Sequence, residues 1–447
     1  CGATDISVNA KTGKLRCNFC RHEFEPEKVE GLETDLTKLE GEIIGSGTQD
    51  IQADAQSVVT LKCSSCGAEV VIDTSESTQA RCHWCRNTLS INEQIPNGSI
   101  PDVVLPFNLT KADAKQIIEN FVGKRKLFAH PKFREEFTTD NIMGVYFPYM
   151  VVDVNSHARL IGQGEHEVRR YTRGSGDNRK TYYDADLYEV EREFDLTIEG
   201  LTVESSSDKL NKHASDKTNN VINAIMPFDI ENCVKYNANY LKGYTSEKRD
   251  TNIDDLRPIV DAQSKDIARF AANETLKDYD RGVCWSSEQL DVKGKQWKAA
   301  YLPVWLYSYQ QVKSEDKKVL HYVAVNARTK ETMGSVPIHM PKLLGVSALV
   351  EVLGWLATLL VHFEYENLFL LSGIVYFIVN YMRYRNSNAR HHHEKETKTK
   401  MFGLRKIDNL IKRQRGLSTS RMSGANNTRV SGQNISETLM NSLNNFK

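Results

Sequence analysis

The sequence predicts a multidomain chain in which tandem four-cysteine zinc ribbons, the first one truncated at its N-terminus, precede a central α+β domain, a two-helix transmembrane hairpin and a disordered basic tail. Three observations carry that prediction. C-x-x-C pairs recur at Cys17–Cys20, Cys63–Cys66 and Cys82–Cys85. Two apolar stretches, residues 343–363 and 368–382, are separated only by Glu364-Tyr365-Glu366-Asn367. Between the cysteines and these stretches a Tyr-x-Pro phrase occurs twice within an aromatic run, at Tyr146–Pro148 and Tyr301–Pro303.

The two later cysteine pairs have the spacing of a four-thiolate site. Each C-x-x-C turn supplies two thiolates, so Cys63, Cys66, Cys82 and Cys85 complete a tetrahedral Zn²⁺ shell with no position open to water. Such a metal is structural, not catalytic; two disulfides or inert thiols are the rival assignment. The pattern occurs earlier in cut form. Cys1-Gly2-Ala3 matches Cys66-Gly67-Ala68, and Cys17-Asn18-Phe19-Cys20-Arg21 matches Cys82-His83-Trp84-Cys85-Arg86. Cys1, Cys17 and Cys20 are therefore expected to be three ligands of a second zinc site whose fourth cysteine precedes Cys1; a lipidated Cys1 is the rival here. The expected organisation is a partial ribbon at 1–22, an acidic spacer at 23–60 and a full ribbon at 61–98. Arg16, Phe19, Arg21 and His22, with Arg81, His83, Trp84 and Arg86, make a thin basic and aromatic set of the kind nucleic-acid contact requires. His22 and His83 are expected at the surface, since thiolates satisfy the metal.

The chain has 447 residues, with 58 Lys plus Arg against 58 Asp plus Glu. A formal net charge of zero excludes a global field favouring nucleic acid, so any electrostatic partner is recognised locally. Seven of the nine cysteines belong to the ribbon pattern, a usage that fits a reducing cytoplasm. Cys233 and Cys284 remain and are expected as buried thiols.

The α+β domain is placed at 99–341. Its first helix is predicted after Thr110, an N-cap with Asp113 at the third helical position, and Ala114, Ile117, Ile118, Phe121 and Val122 fall on one face up to Gly123. Residues 144–153 and 300–309 read as buried, structurally paired strands, with Pro148 marking an edge. Residues 187–203 are β-like, 169–180 a basic hairpin or loop, and 254–279 helical. No P-loop, G-x-S-x-G, H-E-x-x-H or dinucleotide fingerprint occurs, so no catalytic residue is expected.

The hairpin is placed at 342–383, since about 20 apolar residues span a bilayer. Lys342 before it and Arg383, Arg385 and Arg390 after it put both termini in the cytoplasm by the positive-inside rule. Glu351 within the first segment costs about 3 kcal/mol on insertion scales, so it is expected to face the partner helix or a neighbouring protomer. The tail, 384–447, carries a helix-like stretch at 401–415, with Leu404, Ile407 and Ile411 on one side and basic residues elsewhere. A basic amphipathic helix there suggests anionic-lipid contact, a plain solvated helix being the alternative.

The order of these phrases resembles the bacterial TFIIB-type zinc-ribbon membrane proteins. The resemblance runs from Leu61 to Met382 through Cys63–Cys85, Pro101–Phe107, the two Tyr-x-Pro runs, Pro227-Phe228, Tyr240–Tyr244 and the terminal apolar pair. It departs at Asn326–Lys330, where the family carries a Gly-containing turn, and in the long tail. The primosomal or helicase labels used for such proteins find no helicase motif here. The resemblance implies a non-enzymatic, membrane-anchored, zinc-binding adaptor that recruits protein partners, among them a coiled-coil phage-shock protein A homologue in membrane stress. A membrane-tethered nucleic-acid-binding protein is the alternative.

Overall fold

The computed structural model describes residues 6–8, 14–17, 21–24, 35–45, 58–62, 69–73, 80–84, 88–89, 94–95, 101–174, 180–206, 225–236, 238–241, 244–247, 249, 251–314, 317–360, 371–384 and 392–418. Long strands dominate: β1 (Met143–Arg173), β2 (Lys180–Glu204), β3 (Val283–Ser314), β4 (Lys317–Asn326) and β5 (Lys398–Ser418). They lie in the order β5-β2-β1-β3-β4, all neighbours antiparallel. Short strands extend this into a mixed sheet of thirteen strands. The 31 residues of β1 run on the order of 100 Å at about 3.4 Å per residue, so the sheet continues as a long blade beyond the part that holds the core.

The two Tyr-x-Pro phrases pair directly, Tyr146 opposite Pro303 and Pro148 opposite Tyr301. Proline is tolerated because each sits where its strand changes partner. β1 runs beside Thr245–Ser246 up to Tyr146 and beside β2 from Tyr149, so Pro148 needs no ladder N–H. Likewise β3 leaves Val103–Val104 at Tyr301 and meets β4 at Val304. The edge expected at Pro148 is thus an interior switch point.

Helices cover this sheet unevenly. α1 (Lys111–Gly123) carries the capping box: Thr110 Oγ1 accepts from Asp113 N–H, and Asp113 accepts from Thr110 N–H and O–H. Its Ala114, Ile118 and Val122 join α2 (Pro131–Glu136) and an aromatic cluster of Phe107, Tyr146, Tyr301 and Trp305 on one face. α3 (Ile253–Asn273) lies over the blade, where Leu256, Val260, Ile267 and Ala272 bury Val152, Phe194, Leu196 and Trp297. The opposite blade face is wet and laddered with polar pairs: the ion pairs Arg159–Glu191 and Lys293–Asp195, both at 2.6 Å, and a hydrogen bond between His157 and Asp195 at 2.9 Å. Exposed pairs of this kind contribute about 0–1 kcal/mol each and serve solubility more than stability. The Asn326–Lys330 turn is built without glycine. Asn326 Oδ1 accepts from the Arg328 and Thr329 N–H groups, and Lys330 takes the positive φ of 68°.

Three expectations are corrected. The fold class is not a set of ribbons, an α+β domain and a spanning hairpin: Val58–Lys62 and Glu69–Asp73, which flank Cys63–Cys66, belong to the large sheet through Val71 opposite Ser246. Among the described residues no group of three or more His, Cys, Asp or Glu side chains is placed to hold a metal. The second apolar helix, α5 (Ser372–Tyr384), has 13 residues, about 20 Å at 1.5 Å per residue against a hydrocarbon core of roughly 30 Å. Its last residue, Tyr384, is buried in the domain, its hydroxyl accepting from Phe128 N–H at 2.8 Å. Among the described residues α4 (Met340–Leu360) is the one helix long and apolar enough to cross, so a multi-pass placement with both termini cytoplasmic loses its basis.

The tail is corrected too. Residues 398–418 are not an amphipathic helix but β5, paired with β2. A bulge at Gly403, whose φ is +61°, keeps Met401 and Leu404 on one face against the α3 cluster, a spacing a helix would also give. The basic residues of β5 answer the acids of β2: Arg413 forks onto Asp186 at 2.6 and 2.7 Å, and Arg405 reaches Glu193 at 3.6 Å.

Candidate functional site

The surface that stands apart chemically is the antiparallel pair α4–α5. The base of α4 is seated in the core through Leu343 and Ser347, and α5 returns to it through Tyr376, Phe377 and Tyr381. Beyond the base the helices bare their apolar side chains: Leu349, Val352, Leu353, Trp355, Ile374 and Val379 are 54–59% exposed. The Met340–Ala357 window has a mean hydropathy of 1.4, yet only 17% of it is buried. A monomer's largest apolar patch is about 300–600 Å²; a whole pair of half-exposed Leu, Ile, Val and Trp side chains demands another environment.

Glu351 explains how the helices hold together. Its Oε2 accepts from Gly373 N–H at 2.6 Å, and Ser372 Oγ donates to Val350 O at 3.2 Å. The carboxylate therefore satisfies an orphan amide at the start of α5 and meets the positive end of its dipole. Gly373 permits this approach: a Cβ there would lie 2.4 Å from Ser347 O. The expected position against the partner helix is the one observed. Glu351→Leu is expected to loosen the first turn of α5 by about 1 kcal/mol, and Gly373→Leu to part the helices; faster amide exchange over 372–376 is the measurement.

Cations ring the base. Lys342 and Arg383 flank the helices, and Arg125 packs on Phe121, 3.6 Å from the ring centroid, while donating from Nε to Arg383 O at 2.9 Å. Burial, then Arg383, lowers the Arg125 pKa. His130 and His339 face each other with ring centroids 5.9 Å apart. Burial, with His339 and Lys132 adding repulsion, lowers the His130 pKa from the ordinary histidine value.

The expected metal ligands are not brought together by the described residues. Cys1, Cys20, Cys63, Cys66 and Cys85 lie outside them, as does the side chain of Cys17; Cys82 is fully buried. Strands flanking each pair are antiparallel, with Arg16 opposite Glu23, Lys62 opposite Glu69 and Arg81 opposite Thr88. The basic and aromatic set is corrected: His83 and Trp84 are buried, Trp84 edge-on to Phe147 and Tyr322 at 5.9 and 5.6 Å, and Ser308 Oγ donates to His83 O at 2.8 Å. The hairpin tip keeps exposed Arg169 and Arg173, both against the Tyr171 ring. Residues 175–179 of the basic loop lie outside the described residues. Cys233 is buried and its thiol pushed up to about 12 by that burial, whereas Cys284, expected to be buried, is exposed.

The chain resembles the uncharacterized protein YdjG of Bacillus subtilis. The two are 24% identical over 242 residues, a stretch covering 54% of this chain and 65% of YdjG. No family model matches the chain. No solved structure matches it.

Sequence reasoning located the apolar pair and Glu351. It missed that α5 is rooted in the domain core, because the contacts that root it, Tyr384 to Phe128 and Arg125 to Arg383, join residues more than 250 positions apart.

Proposed function

We propose that this protein is a non-enzymatic adaptor held at a membrane surface by the apolar face of α4–α5, with the blade presented to a protein partner. The observation that carries the reading is the exposed apolar helix pair rooted in a folded domain and ringed by Lys342, Arg383 and Arg125. Apolar side chains with a cationic border match the chemistry of an anionic bilayer, hydrocarbon above and phosphate at the rim. α5 is anchored at its end in the protein core and, at 13 residues, is shorter than a span, so the pair is read as a wedge inserted from one side and not as a double span. The partner that the family resemblance implies, a phage-shock protein A homologue, is the first to test on the blade. Zinc on the paired cysteines is part of the same proposal, resting on their spacing and on the antiparallel strands that flank them.

Flotation with phosphatidylcholine vesicles, with and without phosphatidylglycerol, tests the reading. The chain is expected to float, more strongly with the anionic lipid, and Leu353→Ser to lower partitioning about tenfold. Equal flotation of Leu349→Ser/Leu353→Ser and the parent chain would remove the wedge. A defined dimer in light scattering without lipid binding would assign the face to a second copy instead.

A further inference from the structure

A cleft of about 900 Å³ opens between the start of β5, the C-terminal end of β2 and the 226–233 segment. It falls in the size range of small-molecule sites, which join apolar walls to a few placed polar groups. The walls include Val103, Val151, Met226 and Phe228, with the protonated Cys233 thiol beside them. Two charged pairs line it: an exposed one, Lys398–Glu231 at 3.5 Å, and a buried one in which Lys298 Nζ donates to Asp153 Oδ2 at 3.2 Å, with side chains 7% and 8% exposed.

The buried pair offers a ligand something specific. Asp153 already uses both oxygens, Oδ1 accepting from Gly200 N–H at 2.8 Å and Oδ2 from Lys298. Lys298 has three N–H donors and commits one of them to Asp153. The cleft therefore presents a donor inside an apolar wall, at a centre whose charge is already balanced. An incoming anion would leave two carboxylate charges on one ammonium in a poorly hydrated site. The lining as a whole carries five carboxylates against three ammonium groups, which disfavours anions further. A cationic head would face Lys298 itself. A neutral carbonyl acceptor on an apolar body meets the donor without either penalty.

We propose that this cleft binds a neutral acyl amphiphile, an amide or ester, whose carbonyl oxygen accepts from Lys298 while its chain lies against Met226 and Phe228.

Three probes of equal chain length separate the head groups: decanamide, decanoate and decylamine, each titrated into the full chain by calorimetry. Decanamide is expected to bind at least tenfold more tightly than either charged analogue. A diazirine analogue of decanamide is expected to label peptides containing Met226 or Phe228; labelling confined to 349–356 would assign the binding to the apolar helices and overturn the proposal. Thr202→Trp, which puts an indole into the cleft and keeps both members of the ion pair, is expected to abolish both binding and labelling. Asp153→Asn/Lys298→Met is expected to erase the preference for decanamide. Charged probes binding as tightly as decanamide would overturn the carbonyl assignment. Should Thr202→Trp fail to fold, the labelling map on the parent chain decides.

Discussion

Asp408→Ala is expected to destabilise the protein by about 3–5 kcal/mol, near the lower figure because Asp408 is 37% exposed, and to free β5 from the sheet. Arg192 is 1% exposed and donates to Asp408 from Nη1 at 2.7 Å and from Nη2 at 3.3 Å. Its other bonds to described residues go to neutral groups, Thr275 Oγ1 at 3.0 Å, Thr275 O at 3.5 Å and Glu191 O at 2.8 Å. Removing Asp408 thus strands a buried guanidinium without its counter-charge, which is costlier than losing the pair entire. Arg192→Met/Asp408→Leu is accordingly expected to recover most of the loss. Amide exchange over β5, compared with α1 as an internal reference, is the measurement; equal protection in Asp408→Ala and parent would refute it. The same strand is expected to loosen in acid. Arg413 holds Asp186 below its ordinary value, so this contribution is present in full above about pH 4 and is lost as pH falls through the depressed folded value. Protection of β5, corrected for intrinsic exchange, should be level from pH 7 to about 5 and fall below about 4.

Phe107→Ala is expected to cost about 3–5 kcal/mol. Phe107 is 1% exposed, stacks on Tyr244 with centroids 4.2 Å apart, and meets Tyr146 and Trp305 edge-on at 5.0 and 5.1 Å. Truncation leaves a cavity that these three rings cannot close, since Tyr146 and Trp305 are fixed in the ladder of paired Tyr-x-Pro strands and Trp305 Nε1 donates to Leu109 O at 2.8 Å. Phe107→Leu should cost clearly less, because it restores most of the volume. Urea unfolding followed by tryptophan fluorescence reads both; a loss under about 1 kcal/mol for the alanine variant would show that the cluster collapses around the gap.

Both substitutions touch the boundary between local and long-range information. Phe107 was legible: it ends an apolar phrase leading into a capped helix, and Thr110 with Asp113 fixes the start of that helix within four residues. The likeness of the two Tyr-x-Pro runs also pointed to their pairing. Asp408 was not legible. In sequence it is one acid in a basic stretch, and Arg192 lies 216 positions away. The ribbons failed as separate domains because a strand's own residues do not say which other edge it joins. Val71 finds Ser246, and the segment of Cys82–Trp84 packs on Phe147, through contacts that no spacing encodes.

The amino-acid pattern alone determined what depends on near neighbours: the caps and faces of α1, the apolar pair with Glu351 inside it, and the absence of a recognisable catalytic motif. Tertiary structure decided the rest. It made 398–418 a strand, because the acids of β2 supply cross-strand partners that an isolated basic segment lacks. It fixed α5 in the core and left the outer face of α4 bare, because Tyr384 and Leu343 found buried sites on a sheet built from distant strands. It also enclosed Lys298 and Asp153 in one cleft from strands 145 residues apart. Periodicity is written over one or two turns of chain, whereas burial and charge pairing are settled wherever the folded chain brings distant segments together.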